Sequence, residues 1–273
     1  MALPVPTDFW KAGPTGGLSV RTLVNMCGRY VNVASSADLT EEFDVEEVVG
    51  EDPGPSWNVA PTDPVRVIVE RAPREPETPA ARVRQIRTAS WGLVPNWSKD
   101  RKGGAKMINA RIETVTAKPA FKTAAARRRC LVPALGYYEW QKTDDGKVPY
   151  FLHEPDGHLL AMAGLYELWR DPTKDKDDPA RWLWTCTIIT QQATDLLGEI
   201  HDRNPVVVPP ELRAQWLDCS SDDAATAERI LEQIPEARLS PYIVSSAVGN
   251  VRNNGPELIE PAPATAEQPP LQL

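Results

Sequence analysis

The feature that most limits how this chain can fold is the order of its apolar runs. Segments rich in β-branched and aromatic residues occur at 30–33, 65–69, 83–93, 130–140, 150–153, 160–169, 182–190 and 206–208, and each reads as a strand. Helical patterns are fewer: 37–49 after a serine pair, 119–129, 191–200, 211–217 and 222–234. The second of these begins with Pro119 and ends in arginines, which suits the polarity of a helix. A doubly wound parallel sheet needs a helical crossover after nearly every strand. That alternation is missing here, so the expectation is a single α+β domain with a curved, largely antiparallel, barrel-like β-sheet core flanked by helices.

The segments outside this body differ in composition. Residues 1–26 carry Pro4, Pro6, Gly13, Pro14, Gly16 and Gly17 without sustained periodicity and read as a leader. Residues 256–273 are rich in Pro, Glu and Ala and read as a flexible tail. The domain is expected to span 27–255. No apolar run approaches the roughly 18 residues that a membrane helix requires, so a soluble protein without a membrane partner is expected, cytoplasmic by its dispersed cysteines.

The four cysteines, Cys27, Cys130, Cys186 and Cys219, stand far apart with no CxxC or Cys/His spacing. Zinc and disulfide frameworks are therefore disfavoured. The formal net charge is -8, yet between Arg82 and Lys142 fourteen lysines and arginines face only Asp100, Glu113 and Glu139, a local charge of +11. Such a stretch is either a phosphate-binding footprint or a solvated basic surface; charge alone leaves both open.

Six blocks place polar, reactive residues inside β-rich or turn sequence. They are Met26-Cys27-Gly28-Arg29-Tyr30, Trp57-Asn58-Val59-Ala60-Pro61-Thr62, Trp91-Gly92-Leu93-Val94-Pro95-Asn96-Trp97, Asn109-Ala110-Arg111-Ile112-Glu113-Thr114, Gly136-Tyr137-Tyr138-Glu139-Trp140 and Ile200-His201-Asp202-Arg203-Asn204-Pro205. Each is weak alone. In this order, from about Cys27 to Pro261, they resemble the SOS response-associated peptidase (SRAP) family, the abasic-site processing proteins.

That resemblance implies a specific chemistry. Cys27, once N-terminal, would condense through its free α-amine with the ring-opened aldehyde of an abasic deoxyribose, and its thiol would close a thiazolidine ring. An internal cysteine has only an amide nitrogen and cannot do this. An α-amine titrates near about 8 and is partly unprotonated at neutral pH, and a thiol near about 8.5 is a competent nucleophile. Cys27 follows 26 residues rather than one. Either Met26 is the true start or the leader is a propeptide removed by self-processing, and both end at the same terminus. The plain alternative for Cys27 is a small buried hydrophobe.

By the same resemblance Glu139 serves as general acid and base, a role its aromatic neighbours Tyr138 and Trp140 favour by raising a carboxyl pKa. His201 assists proton transfer at the sugar, whereas His153 and His158 flank a turn and read as surface residues. Asn109 orients the amine and the sugar. Arg29, Arg111 and Arg203 hold phosphates with planar forks of donors. Trp91 and Trp140 stack on bases, with core packing as their alternative, and Pro61 shapes the cleft. Asn204 and Leu135 depart from the family pattern.

The implied partner is single-stranded DNA containing abasic sites, and the protein is expected to be nucleoid-associated when bound to it. The protein is expected to act as a monomer, no metal or organic cofactor is implied, and partner proteins at a replication fork stay undefined. Three other outcomes remain open at this level: a thiol peptidase acting on proteins, a non-covalent reader of damaged bases, and lyase chemistry in which the Schiff base proceeds to strand cleavage.

Overall fold

The computed structural model describes residues 28–71, 82–194, 198, 200–218, 220 and 223–263. In chain order the strands are β1 (Arg29–Asn32), β2 (Glu47–Val49), β3 (Ser56–Val59), β4 (Pro64–Arg71), β5 (Val83–Trp91), β6 (Asn109–Arg111), β7 (Arg129–Ala134), β8 (Gly136–Thr143), β9 (Gly146–His153), β10 (Leu160–Arg170), β11 (Trp182–Gln192), β12 (Arg203–Pro205) and β13 (Ser240–Ile243). The helices are α1 (Ser36–Glu42), α2 (Lys122–Arg127), α3 (Pro210–Leu217) and α4 (Ala224–Leu231).

Strand pairing closes a ring. β11 pairs with β10, β10 with β7, β7 with β4 and β4 with β5, all antiparallel, and β5 returns to β11 in a parallel contact. This five-stranded barrel is joined by a separate antiparallel sheet in the order β13-β9-β8-β1-β3. The expected α+β fold with a largely antiparallel, barrel-like core is what the chain forms.

Alternation along the strands explains why their sequences look continuously apolar. Val65, Val67 and Val69, with Cys130, Val132, Met162, Tyr166, Cys186 and Ile188, point into the barrel, where Tyr30, Tyr137, Tyr150 and Leu152 of the second sheet join them. The intervening Ile68, Leu131, Ala161, Ala163, Leu165 and Ile189 point out and meet the helices. A strand buried on both faces needs no polar alternation. Among the described residues no helix is long and apolar enough to cross a membrane.

Several expected boundaries shift. The helix expected at 37–49 stops at Glu42, because Asp44 takes a positive φ of 50° and residues 47–49 pair in parallel with β5. The run 130–140 is two strands, not one: Leu135 lies between them, donating its N–H to Val31 O (2.8 Å), and the chain passes there from barrel to second sheet. Of the helix expected at 191–200, Gln191 and Gln192 instead extend β11, and 195–197 and 199 lie outside the described residues. The strand expected at 206–208 instead forms at 203–205, with Val207 in an isolated bridge to Met162.

The tail expected from 256 is packed through at least its first residues. Pro256–Ile259 forms a 3-10 turn, Leu258 is buried, and Pro261 bridges Val244. His153 is likewise no surface residue: it lies buried between Phe151 and Tyr242, where desolvation lowers its pKa.

One buried cation ties the barrel to the helices. The Arg129 guanidinium, wholly buried, donates to the carbonyls of Ala125 and Ala126 in α2, of Trp216 in α3, and of Asp218 beyond it. These are carbonyls that helix ends leave without intrahelical partners, and the positive charge suits the negative end of each dipole. The prediction is that Arg129→Met lowers unfolding stability by at least about 3 kcal/mol, because several buried acceptors lose charged donors; urea denaturation followed by far-UV circular dichroism measures it.

Candidate functional site

The second sheet brings the start of the domain against a carboxyl group. β1 and β8 pair antiparallel through Arg29↔Tyr138, Tyr30↔Tyr137 and Val31↔Gly136, so one further step of the same register sets Gly28 opposite Glu139. Cys27 lies outside the described residues. Gly136 is required by the ladder itself: a Cβ there would stand 2.4 Å from Phe151 Cζ on β9.

Glu139 is 4% exposed. Burial pushes its carboxyl well above the usual glutamate range, the Asp202 charge pushes the same way, and the Trp140 N–H and Lys147 oppose them. Its Oε2 has no hydrogen-bond partner among the described residues. A buried, under-satisfied carboxyl is costly to ionise and stays a proton donor at unusually high pH.

His201 approaches from the barrel side. Ala193 N donates to Asp202 O (3.0 Å), which continues the β11–β12 pairing and brings the His201 backbone up to the site. The Arg203 N–H donates to His201 Nδ1 (3.1 Å), while Nε2 lies 3.9 Å from Glu139 Oε1. The separation from Glu139 is too long for a direct hydrogen bond. Nδ1 also lies 3.3 Å from Arg203 O, so the Arg203 backbone meets this nitrogen with both a donor and an acceptor. Asp202 Oδ1 stands 3.2 Å from Nδ1 on the solvent side.

Asn204, a departure from the family pattern, has a local purpose. Its Nδ2 donates to Glu236 Oε1 (2.9 Å), and the same oxygen accepts from Thr194 N (2.9 Å). Glu236 thus clamps both ends of the segment that carries His201.

Asn109 is buried on β6, which runs parallel to β11 with Asn109 opposite Ile188. Trp91 supports this segment from below. Its Nε1 donates to Ile108 O (2.9 Å), and its ring meets Tyr30 edge-on at 5.1 Å. The Trp91 side chain is wholly buried, so the expectation that it stacks on a base is corrected: it is a wedge between β1 and the strand of Asn109. Pro61 sits half-buried in a turn where Thr62 has φ 77°. A β-branched residue there is strained, and Asp63 Oδ2 from Ala60 N (2.9 Å) and Thr62 N to Trp91 O (2.8 Å) hold it.

The three arginines differ in freedom. Arg111 is exposed at the end of β6. Arg29 is half-buried and fastened: its Nη1 donates to Asn58 Oδ1 (2.7 Å) and Val248 O (2.9 Å). Arg203 Nη1 and Nη2 face the two oxygens of Glu113 at 2.5 and 3.1 Å, and Nη2 also donates to Thr190 O. Trp140 is part-exposed beside Glu139 on β8, and of the two tryptophans only it meets solvent.

Three residues with a hand in the site were not singled out from the sequence: Asn58, Glu113 and Glu236. The first two stand inside quoted blocks, so their signal was present, but nothing local names their partners. Asn58 is 3% exposed, and its Nδ2 also faces the carbonyls of Asn250 and Asn253. The basic stretch is divided as well. Arg84 pairs with Glu70, Arg128 with Glu167, and Arg129 is spent on helix ends, whereas Lys99, Arg101, Lys102, Lys106 and Arg111 are exposed.

The arrangement is a buried carboxyl beside an imidazole, brought together by β8 and the segment before β12. Among the described residues no group of three or more His, Cys, Asp or Glu side chains could hold a metal.

Residues 26–251 match the family model of the SOS response associated peptidase (SRAP). The chain is 37% identical over 237 residues to abasic site processing protein YoqW of Bacillus subtilis (strain 168), covering 86% of this chain and 99% of that one. It is 32% identical over 241 residues to abasic site processing protein YedK of Escherichia coli (strain K12), covering 86% and 100%. Among solved structures, a Bacteroides thetaiotaomicron protein shares the fold with TM-score 0.67 at 21% identity over 86% of this chain and all of that one. A phage-related protein from Bordetella bronchiseptica gives TM-score 0.58 at 30% identity over 80% and 94%. This chain belongs to the SOS response associated peptidase family.

Proposed function

We propose that this protein captures abasic sites in single-stranded DNA as a covalent thiazolidine through an N-terminal Cys27. The observation that carries the reading is the buried Glu139 carboxyl, 3.9 Å from His201 Nε2 and next along β8 to Tyr138, the partner of Arg29 at the start of β1. Cys27 is bonded to Gly28, and successive Cα atoms are about 3.8 Å apart. The names of the relatives, abasic site processing proteins, support the substrate class.

The steps balance without an external reagent. The α-amine adds to the C1′ aldehyde and one of its protons passes to the former carbonyl oxygen; protonated Glu139 then gives its proton to that hydroxyl as water leaves, and the Glu139 carboxylate takes the remaining N–H proton as the imine forms. The thiol sulfur then bonds to the imine carbon and its proton passes to nitrogen. The His201 imidazole and Asn109 hold the opened sugar. Hydrolysis of the peptide bond before Cys27 requires the same acid and base, which makes Glu139 the residue for self-processing as well. Arg29, Arg111 and Arg203 hold the flanking phosphates, Trp140 stacks on a base and Pro61 bounds the cleft.

Incubation with an abasic oligonucleotide should give an adduct that survives denaturing electrophoresis, on a chain whose intact mass begins at Cys27. Cys27→Ala should abolish the adduct and leave weak, salt-sensitive binding. A Cys27→Ala protein that still formed the adduct, or an active protein retaining residues upstream, would overturn the reading.

Glu139→Gln should slow adduct formation about 100-fold or more, the usual range for loss of a general acid. It should also reveal the cost of the site in a pH series. Burial raises the folded-state pKa above the unfolded value of about 4.3, so the neutral carboxyl is tolerated at low pH. As pH rises the unfolded chain ionises freely and the folded one resists, and stability falls until pH passes the folded pKa. The thermal midpoint of Glu139→Gln should therefore exceed that of the parent at pH 7 and converge with it near pH 4, as differential scanning fluorimetry would record.

The two tryptophans separate stacking from support. Trp140→Ala should weaken binding of an undamaged single strand by about 1–3 kcal/mol with little loss of stability. Trp91→Ala should instead cost about 3–5 kcal/mol of folding stability, read by urea denaturation alongside fluorescence anisotropy.

A further inference from the structure

Arg203, expected to hold a phosphate, is already occupied by an anion. Its side chain is 10% exposed, and both terminal nitrogens face the Glu113 carboxylate at 2.5 and 3.1 Å. Glu113 follows β6 and Arg203 lies on β12, and these two strands flank β11 around Thr190 from opposite sides. The Thr190 carbonyl accepts from Nη2, so the backbone of β11 fixes the fork while its outward donors meet Glu113. The Glu113 side chain is 48% exposed and free to swing into solvent. The Arg203 hydrogen bond, with Arg203 and Arg111 charge, holds its carboxyl below the usual glutamate range, against the effect of burial. It is therefore an anion at neutral pH.

A carboxylate and a phosphodiester present the same pair of oxygens to a guanidinium fork. We propose that Glu113 is a latch on Arg203, a specificity-determining carboxylate that a backbone phosphate must displace. The inference rests on the single-stranded DNA reading above. Any strand entering the cleft exchanges one ion pair for another at Arg203, and then meets the released Glu113 charge beside its own phosphate. Undamaged strands gain nothing further and leave. A strand whose aldehyde reacts is retained by a covalent bond, so the latch lowers occupancy by undamaged DNA without weakening the final product. Glu113 is one of only three acids against fourteen bases between Arg82 and Lys142. Of the other two, Glu139 is buried, and Asp100 Oδ1 accepts from Lys102 N within its own loop.

The test is a fluorescence-anisotropy titration of a dye-labelled, undamaged single-stranded oligonucleotide with the full chain at about 0.1 M salt, a Debye length of about 10 Å. Glu113→Gln, isosteric and on the surface, should bind three- to tenfold more tightly than the parent. Glu41→Gln removes the same charge from an exposed position on α1 and should change affinity less than twofold. A variant that merely loosened the site would bind more weakly, so a gain is diagnostic. Unchanged or weaker binding by Glu113→Gln, or equal tightening by Glu41→Gln, overturns the latch. If none of the three proteins binds the strand even at low salt, the DNA reading itself fails and the latch with it.

Discussion

Two parallel residue pairs, Ser90 with Thr185 and Trp91 with Cys186, join β5 to β11 and close the five-stranded ring. Gly92 N to Cys186 O (2.8 Å) continues the contact by one residue. Everything that forms the site hangs on this short seam. It seals Trp91 inside the barrel, where the indole supports the backbone before Asn109 and braces Tyr30 of β1. It also aligns β11, whose later residues receive β6 on one side and β12 on the other. A barrel removes sheet edges, and beyond the seam the ring is extended by β6 and β12 on β11 and by β2 on β5.

The site concentrates unfavourable terms that the surrounding packing offsets. A carboxyl sealed from water, a threonine at φ 77° and a half-buried guanidinium each oppose folding. Their supports are distant in sequence. Arg29 is fastened by Asn58, and Asn58 in turn gathers the carbonyls of Val248, Asn250 and Asn253. The segment after 240 is thus a brace for the first strand, which explains why Leu258 is buried in a stretch whose composition looks like a tail.

What was legible in the sequence follows a physical line. Long two-faced strands announce themselves, because barrel interior and helix layer both demand apolar residues, and β4, β5, β10 and β11 stand close to where their patterns put them. The three-residue strands β2 and β6 did not, since their pairing is parallel and joins residues distant in sequence. The turn at Leu135 is hidden for a related reason: residues on both sides are apolar and β-prone, and only the switch of partner, from β10 to β9, marks the break. Glu139 and His201 could be named from motifs, but their 3.9 Å approach could not. The sequence could not choose between the two readings of Trp91, because an indole in a motif block looks alike whether it faces a base or a core.

The arginines carry this lesson furthest. A local charge of +11 suggests a uniform basic face, yet the structure divides it into three kinds of cation. Arg129 is dry and serves helix ends, Arg84 and Arg128 are neutralised by buried or half-buried glutamates, and only the remainder meets solvent. Arg203 belongs to neither extreme, since its partner Glu113 is half exposed. A buried pair such as Arg128–Glu167 is hard to break because each charge would be left unpaired in a poor dielectric. An exposed carboxylate returns to water at little cost. Of these ion pairs, the one at the site is therefore the one that can be exchanged, and the ease of that exchange is set by the exposure of Glu113 rather than by anything in Arg203 itself.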